Sequence, residues 1–273
     1  MTAPIQAPAP RVPRLLAGFY GGNTRSVVAR GMRVVARNNW LIILTGFFEP
    51  VFYLLSMGLG LGALIGTVQF YGRDVPYAAY IAPALMAVSA MNGALYDSTM
   101  NVFFRMRYGK IYDQMLSTSL GPLDVALGEI IMALFRGLLY ACGFMVVTTA
   151  LGLNLAWTAV LAIPAALMVA FGFAAVGLAA TSFMTSFQHL DIVFFVMLPM
   201  FLLSATFFPI EVYPETVQLV IMALPLWHAV DMARQLTTGL IQPSIWGHLT
   251  YFAVMIAVGT TAATLRLKAL FLR

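Results

Sequence analysis

The sequence predicts an all-α integral membrane protein with six transmembrane helices, and three observations carry that expectation. Of its 273 residues, 61% are hydrophobic and only 9% are charged, against about 25% charged in soluble globular proteins. Between Gly137 and Leu190 there is no Asp, Glu, Lys or Arg, a run that holds most of two membrane helices at roughly 20 apolar residues each. The Lys and Arg residues that make the net charge +5 cluster beside apolar runs. That placement reads as membrane topology and headgroup contact, and no nucleic-acid partner is expected.

Along the chain, residues 1–22 form an expected disordered tail, rich in Ala and Pro over Met1–Pro13. Six Arg are spread through the first 37 residues and no short apolar core of a secretory signal occurs there. A single transmembrane domain is expected over 23–273. Its first part, 23–39, repeats VVAR at Val27–Arg30 and Val34–Arg37. Arg30, Arg33 and Arg37 fall on one helical side and Val27, Val28, Met32, Val34 and Val35 on the other, the pattern of an amphipathic helix lying in the membrane interface.

The first span is expected over 40–64. Glu49, followed by Pro50, is its one charge, and Gly58, Gly62 and Gly66 recur at four-residue spacing, which offers a smooth face for close helix packing. The second span is expected over 77–99, with Pro83 as a kink. Residues 101–124 are polar and end at Gly121-Pro122. The third span, 125–151, contains Glu129 and Arg136; the fourth and fifth follow at 159–184 and 192–208. Between Glu211 and Gly239, Pro214 opens a helix and Pro225 interrupts it, leaving halves of about a dozen residues, too short to cross a bilayer. Re-entrant helices over 214–238 satisfy that constraint. The last span, 246–265, is followed by Arg266, Lys268 and Arg273.

Orientation follows from the basic residues. The segments before the first span, after the second and after the sixth hold twelve of the fifteen Lys and Arg, whereas Arg73 and Arg234 are the two on the opposite side. Both termini are therefore expected in the cytoplasm.

No residues for catalysis, cofactor binding or metal binding stand out. Neither Lys110 nor Lys268 closes a phosphate-binding loop. His189, His228 and His248 lack metal-ligand spacing, and the single Cys142 can form no internal disulfide. His228 and Asp231, near Arg234, are weak as an enzyme site and read as the outward polar face of a re-entrant helix. Glu49, Glu129 and Arg136 are the ionisable residues nearest the membrane interior, where such groups are functional candidates by default. Glu129 and Arg136 share a helix face about 10 Å apart. Alternatively, Glu129 sits at the cytoplasmic interface, and Arg136 pairs with it or with carbonyls for structure.

This order of parts, together with Phe103–Glu129 (FFRMRYGKIYDQMLSTSLGPLDVALGE), Pro225–Gly239 (PLWHAVDMARQLTTG) and the MGLGLG of the first span, resembles the ABC transporter type-2 permease family. The branch it is similar to is that of the nodulation lipo-oligosaccharide and daunorubicin exporters. Lys110, Tyr112, Leu116, Thr118, Leu120, Asp124, Gly128 and Glu129 match the family's run, and Ser119 stands where the family usually has Pro. The resemblance implies a permease subunit of the bacterial plasma membrane that works as a homodimer, or beside a paralogous permease, and exports a drug, glycolipid or polysaccharide. It implies a coupling helix over 108–120, with Tyr108, Lys110, Tyr112, Met115, Leu116 and Leu120 meeting a separate ATP-binding-cassette subunit that binds ATP and Mg; this chain would bind no cofactor itself. Tyr112, Met115 and Leu116 lie at i, i+3 and i+4 and are expected to form the apolar anchor of that contact. The competing readings are a secondary transporter or channel, which would show an inverted repeat and acids in mid-membrane, and a membrane-embedded lipid-modifying enzyme built on His228 and Asp231.

Overall fold

The computed structural model describes residues 20–37 and 48–271. Residues 1–19 of the expected tail, the start of the first span at Trp40 and Arg273 lie outside the described residues, whereas the end of that tail, 20–22, is described. In chain order the elements are α1 (Thr24–Arg37), α2 (Phe48–Ile65), a hairpin of β1 (Thr67–Phe70) and β2 (Arg73–Pro76), α3 (Tyr77–Arg107), α4 (Ile111–Leu116), α5 (Pro122–Ala150), α6 (Trp157–Phe183), α7 (His189–Leu203), α8 (Glu215–Ala223), α9 (Pro225–Thr238) and α10 (Ile245–Phe271). Of these, α2, α3, α5, α6 and α10 are long and apolar enough to cross a membrane. The fold is thus an all-α integral membrane protein with one small hairpin among the described residues.

The core is built on α3. A surface helix shows one apolar stripe, but from Tyr77 to Tyr96 this helix is buried on nearly every side. Its many Ala residues allow that, because small side chains let neighbouring helices come close where lipid supplies no hydrophobic drive between them. At the crossing of α3, α5 and α6, a Cβ on Gly137 would lie 2.8 Å from that of Ala170 and 3.2 Å from the Ala90 carbonyl oxygen. At the crossing of α6 and α10, a Cβ on Gly259 would lie 2.9 Å from the backbone of Ala175 and Val176.

The glycines of α2 behave differently. Leu54–Leu61 winds as a π-helical turn, so the four-residue spacing no longer stacks on one face. Gly58 packs on Ala78 of α3 within the same chain, a Cβ on Gly62 would have only Tyr77 at 3.9 Å, and Gly66 at φ +73° ends the helix by bonding its N–H to the Gly62 carbonyl. The expected smooth stripe is therefore one intramolecular contact and a left-handed stop that glycine adopts at no steric cost.

The second span runs on through Pro83 and the π-helical turn Asp97–Asn101 to Arg107, well past its expected end. The fifth is a helix of only 15 residues, His189–Leu203, about 22 Å at 1.5 Å per residue. Beyond it the chain turns irregular, with Ala205 at φ +54°. The helices on either side of Leu224 meet at 88°, consistent with the expected break at Pro225.

Candidate functional site

The two ends of the bundle have different chemistry. At one end, Asp124 caps α5 and gathers the chain before it. Its carboxylate accepts from the N–H of Gly121 (2.9 Å), the N–H groups of Gly21 (2.5 Å) and Asn23 (2.9 Å) and the Thr24 hydroxyl (2.9 Å). α1 then lies along α5, with Gly128 facing Val27 and Gly31 facing Met132. The close approach needs glycine at 128, where a Cβ would lie 2.6 Å from the Cβ of the stiff Val27 side chain, whereas at Gly31 only the flexible Met132 side chain is in the way.

α4 sits at the same end. Lys110 opens it in the left-handed region at φ +45°, a conformation that costs a non-glycine residue of order 1 kcal/mol. Tyr112, Met115 and Leu116, expected to face a partner, are instead buried in this chain's own core. The Tyr112 ring meets Phe271 at the end of α10 edge-on, 6.2 Å between centroids, and Leu120 packs on the same cluster. The physical reason is burial: a membrane helix bundle needs an apolar plug where its polar connection returns, and these three side chains form it. What remains exposed is a polar strip of Tyr108, Lys110, Asp113, Gln114 and Ser117, with Tyr108 69% exposed.

Glu129 and Arg136 do not pair with each other. Glu129 forms an ion pair with Arg105 of α3, and the buried Tyr112 hydroxyl lies near that carboxylate but outside hydrogen-bond geometry. Arg136 pairs with Asp97 at 3.3 Å and lies over the Tyr96 ring at 5.1 Å. Both partners come from the lower half of α3, which a reading along single helices could not bring to α5. The sequence signal for these partners is the charge of Arg105 and Asp97 itself, which does not show that they meet α5. At the same end, Arg107 donates to the Met184 carbonyl from Nε (3.0 Å) and Nη2 (2.5 Å), tying α3 to the end of α6.

Between α2, α3, α5 and α7 lies a cavity of about 310 Å³. Glu49, Asn92, Tyr96, Arg136 and Tyr140 give it polar character, and Tyr53 and Phe201 are among its rings. A second cavity of about 470 Å³, almost wholly apolar, opens between α6 and α7 and shares Leu95, Thr99 and Met197 with the first.

The opposite end is held by a buried polar network. Asp231 Oδ2 accepts from the Tyr71 hydroxyl of the hairpin (3.1 Å) and from Gln235 (2.7 Å), and contacts Nε2 of His248 at 2.9 Å. Nδ1 of His248 in turn meets Nδ1 of His228 at 2.8 Å. Arg234, 3% exposed, donates Nε to the Tyr80 carbonyl (3.0 Å) and Nη2 to those of Ala205 (2.7 Å) and Thr206 (2.8 Å). Asp231 and Arg234 thus face inward, a correction to the expected outward polar face: the broken backbone after α7 leaves carbonyls that need a buried donor. Burial and the neighbouring Asp231 carboxylate push the Tyr71 phenol, which lies outside the spans, up to about 12. No cluster of three or more His, Cys, Asp or Glu able to hold a metal occurs among the described residues.

A bundle of apolar helices long enough to cross a membrane, with its polar groups gathered at the two ends and beside one internal cavity, is that of a multi-pass membrane protein. Residues 23–238 match the ABC-2 type transporter family, and the chain belongs to that family. It is similar to nodulation protein J of Rhizobium leguminosarum bv. viciae, 30% identical over 235 residues, covering 85% of this chain and 88% of that relative. Nodulation protein J of Sinorhizobium fredii (strain NBRC 101917 / NGR234) is 32% identical over 196 residues, covering 70% and 72%. That of Rhizobium meliloti (strain 1021) is 30% identical over 201 residues, covering 72% and 74%. The chain is accordingly an ABC transporter permease.

Proposed function

We propose that this permease exports an amphipathic or lipid-linked molecule across a bacterial plasma membrane, driven by a separate ATP-binding-cassette subunit that holds ATP and Mg. It works as a homodimer or with a paralogous permease, and both termini are cytoplasmic. The observation that carries the reading is the exposed polar strip Tyr108, Lys110, Asp113, Gln114 and Ser117 on a connection whose apolar face is already used. A bundle without a nucleotide-binding loop needs an energy source, and a rigidly seated polar helix at its surface suits a partner's cleft. Supporting the orientation, α1, α4 and the end of α10 cluster at one end of the bundle through Asp124, Val27 and the Tyr112–Phe271 contact, the end to which the basic residues point.

The test is copurification with the cognate ATPase and ATP hydrolysis by the complex. Tyr108→Ala combined with Gln114→Ala removes an aromatic contact of the kind that contributes about 2 kcal/mol at interface hot spots. We expect unchanged expression and thermal stability of the permease and at least tenfold loss of complex. Unaltered association and hydrolysis in that variant would remove the strip from its role.

A further inference from the structure

We infer that the paired cavities beside Glu49 form a binding site for an amphipathic organic cation, with the charge at Glu49 and the apolar body in the second cavity. The inference rests on the permease reading and names the substrate class it leaves open.

Three observations select that chemistry. First, the ion pairs account for the other charges near the cavity: Arg136 is neutralised by Asp97, and Glu129 by Arg105. Glu49 takes part in no ion pair among the described residues, and 38–47 contains no Lys, Arg or His to supply one. Glu49 is exposed on this chain and lines the cavity, and an acid within an apolar span calls for a positive partner. Second, the cavity presents the faces or edges of Tyr53, Tyr96, Tyr140 and Phe201. Aromatic rings around a carboxylate form the setting in which organic cations are held, through ring quadrupoles as well as charge. Third, the polar-rimmed cavity adjoins an apolar one through Leu95, Thr99 and Met197. Volumes of about 310 and 470 Å³ are in the range of small-molecule sites. An anion would meet an unneutralised carboxylate, and a neutral ligand would leave it unpaired.

The experiment compares two ions of the same size and shape and opposite charge, tetraphenylphosphonium and tetraphenylborate, by equilibrium binding to the purified permease in neutral detergent. Wild type is expected to bind the phosphonium at least tenfold more tightly than the borate, since a charge pair a few ångströms apart near a protein surface is worth that much or more. Glu49→Gln, which keeps shape, should bring the two affinities within about threefold, whereas Glu49→Asp should keep the preference. Equal binding of the ions by wild type, or an undiminished preference in Glu49→Gln, overturns the site. The permease reading is judged separately by ATPase copurification: a complex that forms and hydrolyses ATP while binding shows no cation preference sinks only this inference.

Discussion

Replacing Tyr112 separates the two possible uses of α4. Its side chain is fully buried, packs edge-on against Phe271, and carries a hydroxyl that is buried without a hydrogen-bond partner. Tyr112→Ala removes the ring from a filled site. Large-to-small aromatic changes in cores cost about 3–5 kcal/mol, from lost contacts and the cavity left behind. For a chain of this size that corresponds to a fall in unfolding temperature on the order of 10 °C. Tyr112→Phe keeps the ring and deletes only the unpartnered hydroxyl, so it should be neutral or slightly stabilising. The assay is thermal unfolding of the purified permease without any ATPase, followed by aggregation or size-exclusion chromatography. If Tyr112→Ala melts like wild type while losing only its ATPase, the residue faces the partner, and the assignment of Tyr112, Met115 and Leu116 to the core is refuted.

Two further outcomes follow from local geometry. Gly259→Ala places a Cβ 2.9 Å from the Ala175 backbone and should cost about 1–3 kcal/mol, whereas Gly62→Ala, with its nearest neighbour at 3.9 Å, should be tolerated; comparative thermal stability of the two variants decides this. The phenol of Tyr71 is raised in the folded state to about 12 from an ordinary value near 10. Its contribution to stability is therefore complete below pH 10 and is lost as pH rises from about 10 to 12; an alkaline unfolding series in which Tyr71→Phe shows the same dependence as wild type would contradict the contact with Asp231.

How far the chain could be read in advance differs between its regions for identifiable reasons. The break at Pro225 was legible, because a residue without an N–H and with fixed φ marks its own position. The inner plug was not. Tyr112, Met115 and Leu116 show an apolar face at helical spacing, but periodicity states only that such a face seeks cover, not whether this chain or another supplies it. Glu129 and Arg136 were legible as costly intramembrane charges, whereas their partners Arg105 and Asp97 depended on α3 extending to Arg107 beside α5. The stripe Gly58, Gly62 and Gly66 presumed an ordinary α-helix, and the π-turn over Leu54–Leu61 changed its geometry.

By itself, the sequence determined that the chain enters a membrane, where its apolar runs and breaks fall, and which side its basic residues favour. These are consequences of hydration and of covalent geometry, which act on each segment where it stands. Tertiary structure alone decided that Asp231 and Arg234 turn inward, that Arg105 neutralises Glu129, and that Glu49 opens onto a cavity. Each of those facts depends on which helices meet. In lipid that choice is made by close packing of small residues and by the need of every buried polar group for a partner distant in sequence.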